Sequence, residues 1–117
     1  KVQANCHMIG DYNWTKEALT NIVKNCIEHT AENKNIYIEV EENCLYLQII
    51  IKDEGEGISK EDLPNIFKRF YKGKDSSKES FGIGLALAKT IIEKQNGEIR
   101  VQSKSGEGTQ FRIRIFI

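Results

Sequence analysis

The clearest periodicity in the chain lies between Asp11 and Thr30. Apolar residues recur at Trp14, Ala18, Leu19, Ile22, Val23, Cys26 and Ile27, with no glycine or proline among them. This is a helical period and predicts an amphipathic helix that lays one stripe on a core. Asp11, Asn13 and Thr15 offer capping oxygens at its start. Ahead of it, Val2, Ala4, Cys6 and Met8 alternate mildly and predict a strand or strand remnant, with a turn at Gly10-Asp11. Behind it the period changes from helical to two. Ile36, Ile38 and Val40 alternate with Tyr37, Glu39 and Glu41; Glu42-Asn43 turns, and Cys44 to Lys52 returns as a longer strand. The pair predicts a β-hairpin.

The second half follows the same logic. Ser59 precedes Glu61 and Asp62 and predicts a capped short helix that Pro64 limits. Phe67, Phe70 and Tyr71 read as an aromatic cluster closing the core, with Arg69, Lys72 and Lys74 interleaved. From Lys72 to Ser80 no apolar residue anchors the chain, which predicts a mobile loop of lid length. Leu85, Ala88, Ile91 and Ile92 share a helical face, so a helix starts near Gly84 and ends before Asn96-Gly97. Glu98 to Ser103 and Thr109 to Ile117 alternate as two strands joined by a glycine-containing hairpin loop.

Composition narrows the partners. The 117 residues suit one domain with a real core. Lys+Arg and Asp+Glu number 17 each, so no global field favours nucleic acid, and any phosphate binding has to be local. Cys6, Cys26 and Cys44 are an odd count without metal-ligand spacing, which suits structural thiols in a reducing compartment. No run approaches the ~18 apolar residues of a membrane span, and no signal peptide is visible. The chain has no initiator Met and opens inside an apparent strand, as expected of a piece of a longer protein.

Candidate chemistry concentrates at three places. The apolar run Ile49-Ile50-Ile51 stops at Asp53-Glu54-Gly55-Glu56-Gly57-Ile58. A carboxylate at a strand end, beside glycines that leave space, suits a flat ligand with an amino donor on its edge, such as adenine. On the first helix, Glu17, Asn21 and Asn25 are spaced i, i+4, i+8 along one flank, at the edge of the apolar stripe. The two asparagines either hydrogen-bond a neighbouring loop or offer neutral oxygens to a hard cation such as Mg²⁺. Gly82-Ile83-Gly84-Leu85 opens the last helix, and a glycine-flanked helix start can bind an anion. None of these is a P-loop, a dinucleotide fingerprint or a protein-kinase glycine loop. His29 reads as a satisfied histidine at the core edge, and His7 as a strand surface residue.

Taken in order, these segments resemble the catalytic, ATP-binding domain of sensor histidine kinases, within the superfamily that includes type II topoisomerases, heat-shock chaperones and mismatch-repair ATPases. The resemblance spans residues 1–117 as one domain. Glu17-x-x-x-Asn21-x-x-x-Asn25 matches the N box, and Asp53 to Ile58 the first glycine box. Phe67-Lys68-Arg69-Phe70-Tyr71 matches the phenylalanine box, Gly82 to Leu85 the second glycine box, and Gly108-Thr109-Gln110-Phe111 the closing motif. The resemblance implies that Asp53 accepts from the adenine amine, that Gly57 lets the base approach, and that Thr109 supports Asp53 and an adenine-bound water. It places Gly55 and Ile58 along the same nucleotide pocket. It makes Asn25 the Mg²⁺ ligand, Asn21 a neighbour of the phosphates, and Glu17 and Asn21 the catalytic candidates. Arg69 and Lys72 become phosphate contacts, and Gly82, Ile83, Gly84 and Leu85 the helix start at the phosphates. Two positions depart from the pattern. Ser80 stands where a glycine usually opens the second glycine box, which implies a stiffer or differently closing lid. Glu28 stands where the N box usually carries a lysine, which leaves a phosphate contact open, with Lys24 and Lys74 as candidate replacements.

The fold class so implied is α/β, a two-layer sandwich with a mixed β-sheet and three helices on one face, of the Bergerat type. The implied function is to bind Mg·ATP and donate its γ-phosphate to a histidine on a separate dimerisation and phosphoacceptor domain, and through it to serve a response regulator. Two alternatives stay open: a nucleotide-sensing, protein-binding module without transfer activity, and another ATPase of the superfamily. The expected partners include no nucleic acid. The expected setting is a cytoplasmic, monomeric domain of a membrane-anchored, homodimeric parent.

Overall fold

A computed structural model describes residues 12–68 and 84–116. The strand expected over 1–9, and Arg69, Phe70, Tyr71, Lys72, the 72–80 loop, Gly82 and Ile83, lie outside the described residues. The elements run α1 (Tyr12–Glu28), β1 (Ile36–Glu42), β2 (Tyr46–Asp53), a 3₁₀ turn (Leu63–Asn65), α2 (Gly84–Lys94), β3 (Gly97–Ser103) and β4 (Thr109–Phe116).

The four strands form one sheet in the order β1-β2-β4-β3. Each pairing is antiparallel. The sheet is therefore antiparallel over the described residues, where a mixed one was expected. Alternation sends Ile49, Ile51, Phe111, Ile113, Ile115 and Ile99 to one face, where they form a single core with Ala18, Ile22 and Cys26 of α1 and Leu85, Ala88, Ile91 and Ile92 of α2. That is the expected two-layer α/β sandwich. Phe67 closes one end of it, edge-on to Phe111 with centroids 6.4 Å apart.

Two α-helices cover the described sheet, not three, because the segment after Ser59 folds as a 3₁₀ turn. Ser59 still caps, since its hydroxyl accepts from Asp62 N–H at 3.2 Å. Pro64 follows directly and cannot donate to a continuing helix. α1 is also rotated from the expected stripe. Thr15, Ala18, Ile22, Asn25 and Cys26 are buried, whereas Trp14 and Ile27 are 56% and 58% exposed. Thr15 is tolerated inside because its hydroxyl donates to Gln95 Oε1 at 3.0 Å. The rotation carries Asn25 from the stripe's edge into the packed layer.

The opposite face of the sheet is polar. Gln48 sits within it in a relay, donating to Glu41 Oε1 at 3.1 Å and accepting from Arg114 Nε at 2.8 Å. Arg114 in turn lies over the Tyr46 ring. The apolar run through Ile49-Ile50-Ile51 is thus buried on one side only, with Ile50 half-buried among polar neighbours.

Candidate nucleotide site

Asp53 ends β2, and strand register decides its company: it stands opposite Thr109 on β4. Its side chain shares the helix-facing side with Ile49 and Ile51 and is 3% exposed. A carboxylate so deep requires hydrogen bonds. Asp53 Oδ1 accepts from Gly55 N–H at 2.9 Å and from Thr109 N–H at 3.1 Å. The first contact is an Asx turn, which fixes the direction of the chain just after the strand. The thiol of Cys26, buried on α1, donates to the same carboxylate. Burial, then the Asp53 charge and that hydrogen bond, push the Cys26 thiol far above its usual range, so it stays protonated and acts as a donor, not a nucleophile. An ionised carboxylate has about four acceptor positions, so capacity remains for a ligand's donor.

Two other segments clamp the loop that follows. The end of α1 supplies the His29 carbonyl, which accepts from Glu56 N–H at 3.3 Å, while His29 Nδ1 lies 3.1 Å from Glu56 Oε1. His29 lies at the core edge as expected from the sequence and is paired through Nδ1, but its Nε2 is buried with no hydrogen-bond partner among the described residues, so the ring is not fully satisfied. From the other side, Gly106 N–H donates to the Glu56 carbonyl at 2.6 Å. Ser103 Oγ accepts from Ile58 N–H at 2.7 Å.

The glycines are needed for protein contacts as well as for space. A Cβ on Gly55 would run into the His29 carbonyl oxygen, and one on Gly57, at φ +76°, would run into that of Lys104. Gly108, at φ +90°, packs against the Asp53 carbonyl oxygen in the same way. Glycine at these positions lets three pieces of backbone converge behind Asp53.

The start of α2 faces α1. A Cβ on Gly84 would lie 3.7 Å from Asn21 Cβ and Cγ, an ordinary contact. Asn21 and Gly84, from two segments far apart in sequence, are thus neighbours in space. Asn21 is half-buried, Asn25 one turn on is 8% exposed, and Glu17 one turn back is exposed. Ile58 and Leu85 place their side chains in the core, so only their backbone is available to a ligand.

The structure therefore brings Asp53, Gly55, Gly57, Ile58 and Thr109 together at one end of the sheet, and Asn21 and Gly84 together between the helices. Sequence reasoning missed Cys26 and Ser103 as parts of the site, and it placed Gly108 in the closing motif without its contact with Asp53. Cys26 was legible only as a core position. The significance of Ser103 and Gly108 depends on the β3–β4 loop folding back onto residues 56–58. A cleft of about 770 Å³ also opens on the sheet's other face, lined by Tyr37, Glu39, Ile50, Lys52, Glu54 and Gln110 among others. Asp53 and Gly106 also belong to its lining, so it adjoins the arrangement above at the end of β2, while the Asp53 side chain turns to the helix-facing side.

A buried strand-end carboxylate with a glycine loop clamped behind it, and a second helix opening beside an asparagine, are set in a two-layer α/β sandwich whose family is that of ATP-binding domains. The family described as "Histidine kinase-, DNA gyrase B-, and HSP90-like ATPase" matches residues 10–117, and the chain belongs to it. Among curated relatives, it is 35% identical over 120 residues to Sensor histidine kinase YclK of Bacillus subtilis, covering 97% of this chain and 25% of that protein. It is 38% identical over 102 residues to Sensor protein SrrB of Staphylococcus aureus, covering 85% of this chain and 18% of that protein. The chain thus spans a quarter or less of the length of these relatives. Among solved structures, the catalytic domain of histidine kinase ThkA aligns with a TM-score of 0.77 at 30% identity, over 92% of this chain and 68% of that one. A mycobacterial sensor histidine kinase, MprB, shares the fold with a TM-score of 0.83 at 23% identity, over 93% of this chain and 76% of that one. Among the described residues, no helix is long and apolar enough to cross a membrane.

Proposed function

We propose that this ATP-binding domain holds Mg·ATP between α1, the 53–58 loop and the start of α2, and presents the γ-phosphate to a histidine on a separate helical domain of the same kinase. The observation that carries the reading is the Asp53 carboxylate, held at Oδ1 by the N–H groups of Gly55 and Thr109 with acceptor capacity to spare. In this reading the adenine amine takes that capacity. The phosphates then lie toward Asn21 and Gly84, where the first N–H groups of α2 have no partner within the helix.

The donor set fits Mg²⁺. Asn25 brings a neutral amide oxygen on the same flank as Asn21, and Mg²⁺ takes few protein ligands, completing its shell with water and phosphate oxygens. The metal would supply charge neutralisation at the phosphates. The chain's own part is to bind the base, orient the phosphates and fix the distance to the acceptor, which is most of what phosphoryl transfer requires.

Single-turnover labelling with Mg·ATP and the parent kinase's dimerisation domain tests this. The expected product is acid-labile phosphate on the acceptor domain and none on this chain. Asn25→Ala should reduce transfer at least tenfold, far more than its loss of thermal stability accounts for. Acid-labile phosphate on His7 or His29 would contradict the reading. So would an Asn25→Ala protein that melts early yet transfers normally.

A further inference from the structure

Ser103 makes three hydrogen bonds with one hydroxyl, and its chemistry decides their direction. Its oxygen lies 2.8 Å from the Gly108 carbonyl, 2.7 Å from Ile58 N and 2.9 Å from Thr109 Oγ1. A carbonyl oxygen only accepts and a backbone N–H only donates. The single Ser103 hydrogen is therefore committed to Gly108, and one of its lone pairs to Ile58. The contact with Thr109 admits just one assignment: Thr109 donates and Ser103 accepts. The Thr109 hydrogen is then used up inside the protein, and what Thr109 Oγ1 offers elsewhere is lone pairs.

Thr109 is also the residue whose N–H holds Asp53 Oδ1. The site accordingly presents two acceptors side by side, the Asp53 carboxylate and the Thr109 hydroxyl, and no donor from either side chain. A ligand edge carrying an amine matches both, directly or through a water. The carbonyl of a 6-oxo purine meets acceptors only, and just the neighbouring N1–H of such an edge can find a partner there.

We infer that Ser103 is a specificity-determining positioning residue, which fixes the Thr109 hydroxyl as an acceptor and so sharpens selection of a 6-amino purine over a 6-oxo purine. The inference rests on the adenine reading of Asp53. Ser103 touches no nucleotide itself and acts through Thr109. Without its hydroxyl, Thr109 is free to turn its hydrogen toward a 6-oxo group, while Asp53 continues to reject that group.

Calorimetric titration with ATP and with inosine triphosphate, each with Mg²⁺, tests this on wild type, Ser103→Ala and Ser103→Thr. Wild type should prefer ATP strongly; if it does not discriminate, the adenine reading itself fails. Given that preference, Ser103→Ala should narrow the ATP-to-inosine ratio by about tenfold, the scale of one neutral hydrogen bond. Ser103→Thr, which keeps the hydroxyl, should restore the ratio. A merely structural serine predicts equal weakening for both nucleotides and an unchanged ratio, which overturns the inference. Should Ser103→Ala fail to fold, Thr109→Val keeps the N–H to Asp53 and removes the acceptor. It should narrow the ratio too, and an unchanged ratio there overturns the inference equally.

Discussion

Asp53→Asn should lower ATP affinity by about tenfold to a hundredfold, the loss associated with a hydrogen bond to a charged group, and leave the fold intact. The reasoning is local. Asn can keep an acceptor oxygen where Oδ1 stands, so the N–H groups of Gly55 and Thr109 retain their partner. It then puts an NH₂ group in place of the second carboxylate oxygen. In the bound state that group opposes the adenine amine, donor against donor, at a position only 3% exposed. The Cys26 thiol loses its charged acceptor as well, a smaller cost because S–H is a weak donor. Titration calorimetry with far-UV circular dichroism separates the two effects. Unchanged affinity with an unchanged spectrum would remove adenine from Asp53.

Gly57→Ala should damage the fold severely, as should Gly108→Ala, because each combines a positive φ with a backbone carbonyl where the Cβ would stand. Gly57 has φ +76°, where a Cβ costs about 1–2 kcal/mol on conformation alone. That Cβ also meets the backbone carbonyl of Lys104, which cannot rotate away as a side chain can. Relief requires shifting the 104–108 loop, and that loop carries Thr109 and the Gly108 contact with Asp53. Stability should fall by at least ~2 kcal/mol, or about 10 °C in melting temperature for a domain of this size, and ATP affinity should fall with it. Gly106→Ala is the internal control. Its φ is +85°, yet a Cβ there meets nothing within 4 Å. It should show the conformational cost alone and keep nucleotide affinity. Equal effects from the two substitutions would mean that backbone convergence at Gly57 is unimportant.

Legibility in the sequence followed the range of the interactions. Hydrophobic period is local, so the helix ending near His29, the two hairpins and the helix opening at Gly84 could all be placed from residues alone. Packing is not local. The stripe on α1 was expected to include Trp14 and Ile27, but the Thr15–Gln95 hydrogen bond, across 80 residues, helps to stabilise a different face inward. The site divides the same way. Asp53 and its glycines announce themselves as a strand end followed by a turn. That Thr109 lies opposite Asp53 depends on β2 pairing with β4, and that Ser103 governs both Ile58 and Thr109 depends on a loop returning from 45 residues away. Gly55 and Gly57 were legible as open space beside a carboxylate; the structure adds that a Cβ on either would meet a backbone carbonyl, of His29 or of Lys104.

The central claim is that nucleotide binds on the helix side of the sheet, at Asp53 and the start of α2. Titrating isotope-labelled chain with Mg·ATP and following backbone amide shifts tests it most directly. The largest changes should fall on Asn25, Gly55, Ile58, Gly84 and Thr109, with Glu39, Ile50 and Arg112 on the other face nearly still. Changes centred on Glu39, Ile50 and Gln110, around the outer cleft, would contradict it, as would no change at millimolar nucleotide.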